Sequence, residues 1–419
     1  MRVLQVSATD SEGARFNGLE LSKQLIQRGY DSSQVVWRKR GNDECTHEMF
    51  EGALRQKIHQ TAAKLERNLS VQSILSPLAF EFAKHPQFKA ADVVHYHLIH
   101  TGFFNLMALP GLTQLKPSVW TLHDPWAMTG HCVHPFDCTR WKSGCGSCPS
   151  LDSEFSMTRD NTALMWKVKQ LAYSMSDFDL VVCSSWMEEM VKASPLMKKA
   201  RVHRIPLGVD LDVFCPGDSQ AKKQKLGVYP GNLVVGLRAT TSIYKGLPEA
   251  IECLRKLDTE QPLTILTFNQ KGLFEEFFGK YQIIDLGWLE STDEMIDAYQ
   301  AADIFLMPSQ GESFGMMAVE AMACGKPCVV FDGTALPETT FAPEYGISVP
   351  KGDSDALAAA LKDLIENESK RISLGEKGRQ LALQHYSQKV YVDRLVELYT
   401  DVRARRGNKV AHARTTIPV

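Results

Sequence analysis

Short, uninterrupted apolar runs recur along this chain and alternate with longer stretches in which apolar positions return every three or four residues. A run that is apolar at every position belongs to a strand buried on both faces, as in a parallel sheet. In the first half strands built on such runs, several with polar positions at their ends or within them, are read at 3–8, 31–37, 91–98, 118–124, 180–185 and 201–207. In the second half they cover 232–240, 262–269, 283–289, 304–307 and 328–331, with 345–350 as an edge strand. Helical spacing fills the intervals 14–28, 51–90, 161–175, 186–192, 247–257, 293–302 and 314–324, then 354–367, 370–385 and 388–403. Strands alternating with helices in this way imply an α/β fold with parallel, doubly wound sheets. From Arg405 to Val419 the chain is basic with little apolar content, and a mobile tail is expected.

A chain of 419 residues exceeds one small core, so two domains are expected. The Pro-, Gly- and Asp-containing passage around 206–217 reads as the linker. The division is then 1–208, 209–386 and a terminal segment 387–419. With a net charge of −2 nothing points to nucleic acid as a partner. The opening apolar stretch after Met1 has no small-residue cleavage site and reads as a first strand; no run reaches transmembrane length. Ten cysteines without a signal suggest a reducing compartment and a cytoplasmic protein.

The chemistry concentrates in 303–331, a strand, loop, helix, turn and strand. Glu320 is the one charged side chain in a helix of small and apolar residues, so it is expected to be buried and to need partners. Glu312 precedes the first turn, and the amides of Phe314, Gly315 and Met316 lie between the two carboxylates at the positive end of the helix. That order suits a nucleotide-sugar, with Glu312 toward sugar hydroxyls and Glu320 toward ribose hydroxyls. Further upstream, Arg238 ends a strand and Lys245-Gly246 opens a helix. A guanidinium fork and an ammonium so placed can clamp a diphosphate. In the first half Gly13 lies in the loop Ser11-Glu12-Gly13-Ala14-Arg15 between the first strand and helix, where a backbone amide can approach a phosphate. His97, His100 and the pair His123-Asp124 fall at strand ends. Segment 130–150 holds Cys132, Cys138, Cys145 and Cys148; the last two have knuckle spacing, compatible with a structural zinc site or with free thiols or disulfides.

The run Glu312-Ser-Phe-Gly-Met-Met-Ala-Val-Glu320, with Gly325 and Pro327 after it, resembles the E-x7-E signature of retaining, nucleotide-sugar-dependent glycosyltransferases of the GT-B fold, in the group 1 type of the exopolysaccharide and lipopolysaccharide branch. The resemblance implies two Rossmann-like domains facing a cleft, with the donor held mainly by the second and the acceptor by the first. It implies Arg238 and Lys245 as the cations that neutralise the leaving nucleoside diphosphate, and His123 beside the transferred sugar. Base contacts fall near Gly287 and Trp288. The loop before the first helix departs from the family, which has two or three glycines where this chain keeps Gly13.

The resulting expectation is a retaining hexosyltransferase of surface polysaccharide synthesis that needs no cofactor beyond its donor, a UDP-sugar ahead of a GDP-sugar. Its acceptor is a saccharide or a lipid-linked saccharide. The alternatives are a sugar-nucleotide epimerase or phosphorylase on the same fold, or a non-catalytic nucleotide-sugar-binding subunit. Basic and apolar residues interleave over 51–90, which reads either as a solvated helical face or as a contact with the inner face of the cytoplasmic membrane. A monomer or weak homo-oligomer is expected.

Overall fold

The computed structural model describes every residue except Glu12, Ala14, Asn17, Thr101 and 416–419, and only the backbone of 409–415. Two of the residues named for the first loop, Glu12 and Ala14, therefore lie outside the described residues. The chain forms two compact units: Met1–Cys183 with Met187–Ile205 and Val392 onward, and Pro206–Tyr391 with Ser184–Trp186.

The first unit is built on a parallel sheet of β1 (Arg2–Thr9), β2 (Asp31–Arg38), β3 (Thr46–Glu48), β4 (Val93–Tyr96), β5 (Ser118–Leu122), β6 (Asp179–Val182) and β7 (Arg201–Arg204). Their spatial order is β3-β2-β1-β4-β5-β6-β7. The apolar runs account for it, because Val3, Leu4, Val6, Val93, Val94 and Val119 are fully buried, as central strands covered on both faces require. The order reverses between β1 and β4, where Val3–Val6 pair with Val93–Tyr96. Crevices open at such switch points, at the carboxyl ends of the strands.

The second unit repeats the plan with β8 (Leu233–Ala239), β9 (Leu263–Asn269), β10 (Gln282–Asp285), β11 (Ile304–Met307), β12 (Cys328–Phe331) and β13 (Ile347–Val349), in the order β10-β9-β8-β11-β12-β13. All pairs are parallel. Its core joins Val235, Leu237, Ile265, Leu306, Val329 and Phe331 to Leu254, Leu357 and Leu361 of the covering helices. The switch point lies between β8 and β11.

Three expectations are corrected. The helical stretch 51–90 is broken into Ala53–Leu69, a 3-10 segment Pro77–Lys84 and Pro86–Ala90. The break has a cause in Glu66, which is buried and accepts the Ile74 and Leu75 amides at 2.7 Å each, binding the loop back onto the helix. The segment expected to be mobile from Arg405 is instead helical as far as Thr415, in the helix Gln388–Thr415. Arg405 in that helix reaches Asp179, a fully buried carboxylate also held by Arg201 and His203. Finally, β3 is an edge strand the apolar pattern does not show, since its sequence is Thr-His-Glu.

Candidate functional site

In the second unit, three of the expected residues converge on the switch point. Arg238 is the penultimate residue of β8, Lys245 lies in the loop that follows, and Glu312 lies in the loop after β11. Lys245 Nζ is paired with Glu312 Oε1, with side-chain exposures of 23% and 12%, and Ser309 Oγ donates to the same oxygen at 3.3 Å. The approach of the two loops depends on Gly246. Its φ is +68°, and a Cβ there would lie 1.8 Å from the Pro308 carbonyl oxygen, so only glycine lets these backbones meet.

The helix after Glu312 is Met316–Ala323, with Gly315 at its N-cap (φ 95°) and no side-chain cap. A Cβ on Gly315 would strike Leu336 Cδ2 at 2.4 Å. Uncapped amides at a helix start carry partial positive charge and favour an anion. Glu320 is buried as expected, and its partner is the Tyr299 hydroxyl, which donates to Oε2 at 2.8 Å. Phe314 turns its ring into the core, edge-on to Tyr386, and accepts the Thr339 hydroxyl on its carbonyl, so only its backbone remains for a ligand. Met316 is half-buried at the helix start. Gly287 (φ 71°) follows β10, and its carbonyl accepts the Asn269 amide at 2.7 Å; Trp288 beside it is 65% exposed.

In the first unit, a histidine cluster forms at the carboxyl ends of β4 and β5. His123 Nε2 lies 3.0 Å from His97 Nδ1, and His97 Nε2 lies 2.8 Å from Gln5 Oε1 in β1. With the Gln5 oxygen as acceptor, His97 carries its proton on Nε2, so His97 Nδ1 accepts from His123 Nε2–H and His123 Nδ1 is left as an acceptor. Burial is the largest influence on all of these rings: it lowers His123 to about 4 and His97 well below the ordinary range, so both are neutral near pH 7. His95 behind them, lowered to about 3 by burial, bridges Tyr399 (2.6 Å) and Thr121 (2.7 Å). Asp124 does not pair with His123; it faces His100 at 3.2 Å. Gly13 has φ +69° and adjoins Phe16, whose ring centroid is 5.3 Å from that of His123. Gly13 is thus the turn that seats Phe16 against the histidines. Nothing in the residue pattern marks Gln5 or Phe16 as neighbours of His123, and Tyr299 as the partner of Glu320 was equally hidden.

For the cysteine-rich segment, left open between a structural zinc site and free thiols or disulfides, the geometry matches the free-thiol alternative. Among the described residues no group of three or more His, Cys, Asp and Glu is spaced to hold a metal ion. Cys132, Cys138, Cys145 and Cys148 are free thiols. Burial pushes Cys132 and Cys145 up to about 11 and raises Cys148, so these sulfurs are protonated near pH 7. Hydrogen bonds hold the segment instead. Lys169, fully buried, donates to the Trp126 and Thr129 carbonyls at 2.6 and 2.9 Å and lies 3.5 Å from the centre of the Trp126 ring. Thr129 Oγ1 in turn donates to the Cys132 carbonyl, and Gly130 N–H to Cys145 Sγ.

Residues 218–381 match the family model for glycosyl transferases group 1, and residues 18–213 match that for glycosyltransferase family 4. Among curated relatives, D-inositol 3-phosphate glycosyltransferase of Mycobacteroides abscessus is 30% identical over 40% of this chain and 39% of its own length. A GDP-mannose-dependent monoacylated alpha-(1-6)-phosphatidylinositol monomannoside mannosyltransferase of Corynebacterium glutamicum is 28% identical over 46% of this chain and 55% of its own. The chain thus spans about half the length of the curated relatives it matches. Sucrose-phosphate synthase from Thermosynechococcus elongatus is a structural neighbour with a TM-score of 0.69 at 18% identity, covering 97% of this chain and 100% of that one. HepE of Anabaena in complex with UDP has a TM-score of 0.66 at 17% identity, covering 96% and 100%. Residues 18–213 are thus similar to a glycosyltransferase family 4 domain and residues 218–381 to a group 1 glycosyltransferase domain, and the architecture is the GT-B fold.

Proposed function

We propose that this protein is a retaining glycosyltransferase that moves a hexose from a nucleotide-sugar to a saccharide or lipid-linked saccharide in surface polysaccharide synthesis. The reading is carried by the Lys245–Glu312 pair at the carboxyl ends of β8 and β11, beside Arg238 and the uncapped helix start at Gly315. A donor diphosphate at this point would draw the Lys245 ammonium from Glu312, and the freed carboxylate would accept hydrogen bonds from sugar hydroxyls. Arg238, Lys245 and the Gly315 and Met316 amides would then offset the charge that builds on the leaving phosphate. In a front-face displacement that phosphate takes the acceptor proton, so no separate base is needed. His123, neutral and with Nδ1 as acceptor, is suited to a hydroxyl rather than to an anion. Glu320 would serve the ribose, held ready by Tyr299. Gly13, Gly287 and Trp288 are assigned to binding by the family resemblance.

Relatives divide on the donor, since one mannosyltransferase is named as GDP-mannose-dependent and HepE was solved with UDP. A thermal-shift panel of UDP-, GDP- and ADP-sugars would decide, because a bound ligand stabilises the fold by mass action. With the donor known, Arg238→Ala is expected to lower kcat at saturating donor, and the anomer of the product, read by NMR, tests retention. Epimer formation without acceptor would favour the epimerase alternative; unchanged kinetics in both Arg238→Ala and Lys245→Ala would remove the site.

A membrane-surface acceptor gains support from the helix Ala53–Leu69. Leu54, Ile58, Leu65 and Leu69 are 73, 37, 48 and 51% exposed and fall on one stripe of the helix, with Lys57 and Lys64 alongside. Among the described residues no helix is long and apolar enough to cross a membrane; the contact proposed here is a peripheral one, on the cytoplasmic face.

A further inference from the structure

Asn269, the last residue of β9, has φ 97°. This is the left-handed region, which glycine enters freely and other residues enter at a cost in strain. Strain of this kind persists where surrounding contacts over-determine the residue, and the amide N–H and both side-chain polar atoms of Asn269 are used. Its amide N–H donates to the Gly287 carbonyl at 2.7 Å, and its Nδ2 donates to the Ala239 carbonyl at 3.2 Å. The carboxamide orientation is thereby fixed, since a carbonyl can only accept, and Oδ1 is left facing Arg238, whose guanidinium NH2 donates to it at 3.3 Å. Ala239 and Asn269 are register partners at the carboxyl ends of β8 and β9. The next residue repeats the link: Gln270 N–H donates to the Ala239 carbonyl, and Gln270 Oε1 accepts from Thr241 N–H at 2.6 Å. The strained turn therefore joins Arg238 to the segment after β10.

We propose that Asn269 is a positioning residue for Arg238. Its strained backbone aims a neutral acceptor at the guanidinium and so fixes the direction in which the remaining guanidinium protons meet the leaving diphosphate of a nucleotide-sugar. Neutrality matters here, because a carboxylate in the same place would compete with the phosphates for the same cation. The inference rests on the glycosyltransferase reading of the site.

The test uses the full-length protein and three variants: Asn269→Gly, Asn269→Asp and Arg238→Ala, together with the double variant Asn269→Gly/Arg238→Ala. UDP and GDP binding is measured by titration calorimetry, melting by calorimetric scan, and kcat and KM with the donor that binds. Asn269→Gly is expected to melt no lower than the parent, since glycine relieves the strain, yet to bind the nucleoside diphosphate about tenfold more weakly, as loss of one hydrogen bond to a charged group does. Its kcat is expected to fall by a similar factor. Asn269→Asp restores an acceptor, but as a carboxylate, and is expected to weaken diphosphate binding further than Asn269→Gly does. In the Arg238→Ala background the Asn269→Gly change is expected to have no additional effect on binding or kcat, which a merely structural residue would not show. Parent-level binding and kcat in Asn269→Gly, or effects that add to those of Arg238→Ala, would overturn the inference alone. ADP is titrated alongside, and absence of UDP, GDP and ADP binding by the parent protein would remove the underlying reading and the inference with it.

Discussion

Gly246→Ala is the substitution that most directly probes how the site is assembled. The new Cβ would stand 1.8 Å from the Pro308 carbonyl oxygen, an atom of the backbone that leads from β11 into the Glu312 loop. Neither side can yield by turning a rotamer, so the loops must part by about 1 Å or more before the contact becomes tolerable. The left-handed backbone adds about 1–2 kcal/mol for a residue with a Cβ, and the forced separation adds about 1–3 kcal/mol, for a loss of about 2–5 kcal/mol in all. Gly227→Ala is the control. Its φ is +79°, also at a helix end, but nothing lies within 4 Å of its Cβ, so it carries the backbone cost alone. Urea unfolding of the two variants separates the contributions. Because the parting loops also separate Lys245 from Glu312, Gly246→Ala is expected to cost about 100-fold in kcat/KM, the usual toll of a 1 Å misplacement, while Gly227→Ala leaves turnover intact. Equal stability losses in the two variants would refute the close-approach argument. A destabilised Gly246→Ala with parent kinetics would refute the claim that this approach builds the site.

Tyr299→Phe removes a hydroxyl that donates to the buried Glu320 Oε2 and is expected to destabilise by about 1–3 kcal/mol, as loss of the partner of a buried polar atom does, with a raised donor KM; urea titration and steady-state kinetics check both. The buried histidines set an acid limit. His95 (about 3), His97 (well below 6.5) and His123 (about 4) are neutral in the fold but take up protons near 6.5 when unfolded, so their stability is full above pH 6.5 and is lost as pH falls from 6.5 toward about 4. Each contributes a slope of about 1.4 kcal/mol per pH unit in that window, and a flat profile from equilibrium unfolding would contradict the burial of the cluster. Arg405→Ala removes one of the cations on the buried Asp179 and is expected to free the end of the helix Gln388–Thr415, seen as faster amide exchange there with the sheet amides unchanged. Leu54→Ser/Ile58→Ser/Leu65→Ser/Leu69→Ser is expected to abolish co-sedimentation with anionic phosphatidylserine vesicles without lowering the melting temperature, since these side chains are already exposed.

What the sequence disclosed and what it hid follow from the range of the interactions concerned. The strands buried on both faces announced themselves as apolar runs, and Ile304–Met307 and Cys328–Phe331 fall at the limits the pattern set. The helix Ser219–Leu226 left no trace because it buries no residue; ion pairs from Lys222 and Lys225 to Asp297 hold it, and such pairing has no period. Lys245, Arg238 and Glu312 could be grouped before any coordinates because each ends or follows a strand, and strand ends share one edge of a parallel sheet. Orientation is a different matter. Adjacent residues of an extended chain point to opposite sides, so the neighbours His123 and Asp124 could not both serve one another. His123 turns to His97, whose next partner Gln5 lies on the adjacent strand β1, while Asp124 takes His100. Local structure, a loop against a helix, separates the two acidic groups of the 312–320 motif. One lies in a loop and pairs with a cation that, on the proposed function, a diphosphate would draw away; the other sits inside a helix against Tyr299. A ligand that exchanges with Lys245 for Glu312 therefore meets one adjustable carboxylate and one fixed one, and substitutions at Glu312 are expected to act on kcat while those at Glu320 act on donor affinity. Equal changes in KM for Glu312→Gln and Glu320→Gln, with kcat untouched in both, would show that the loop carboxylate only binds.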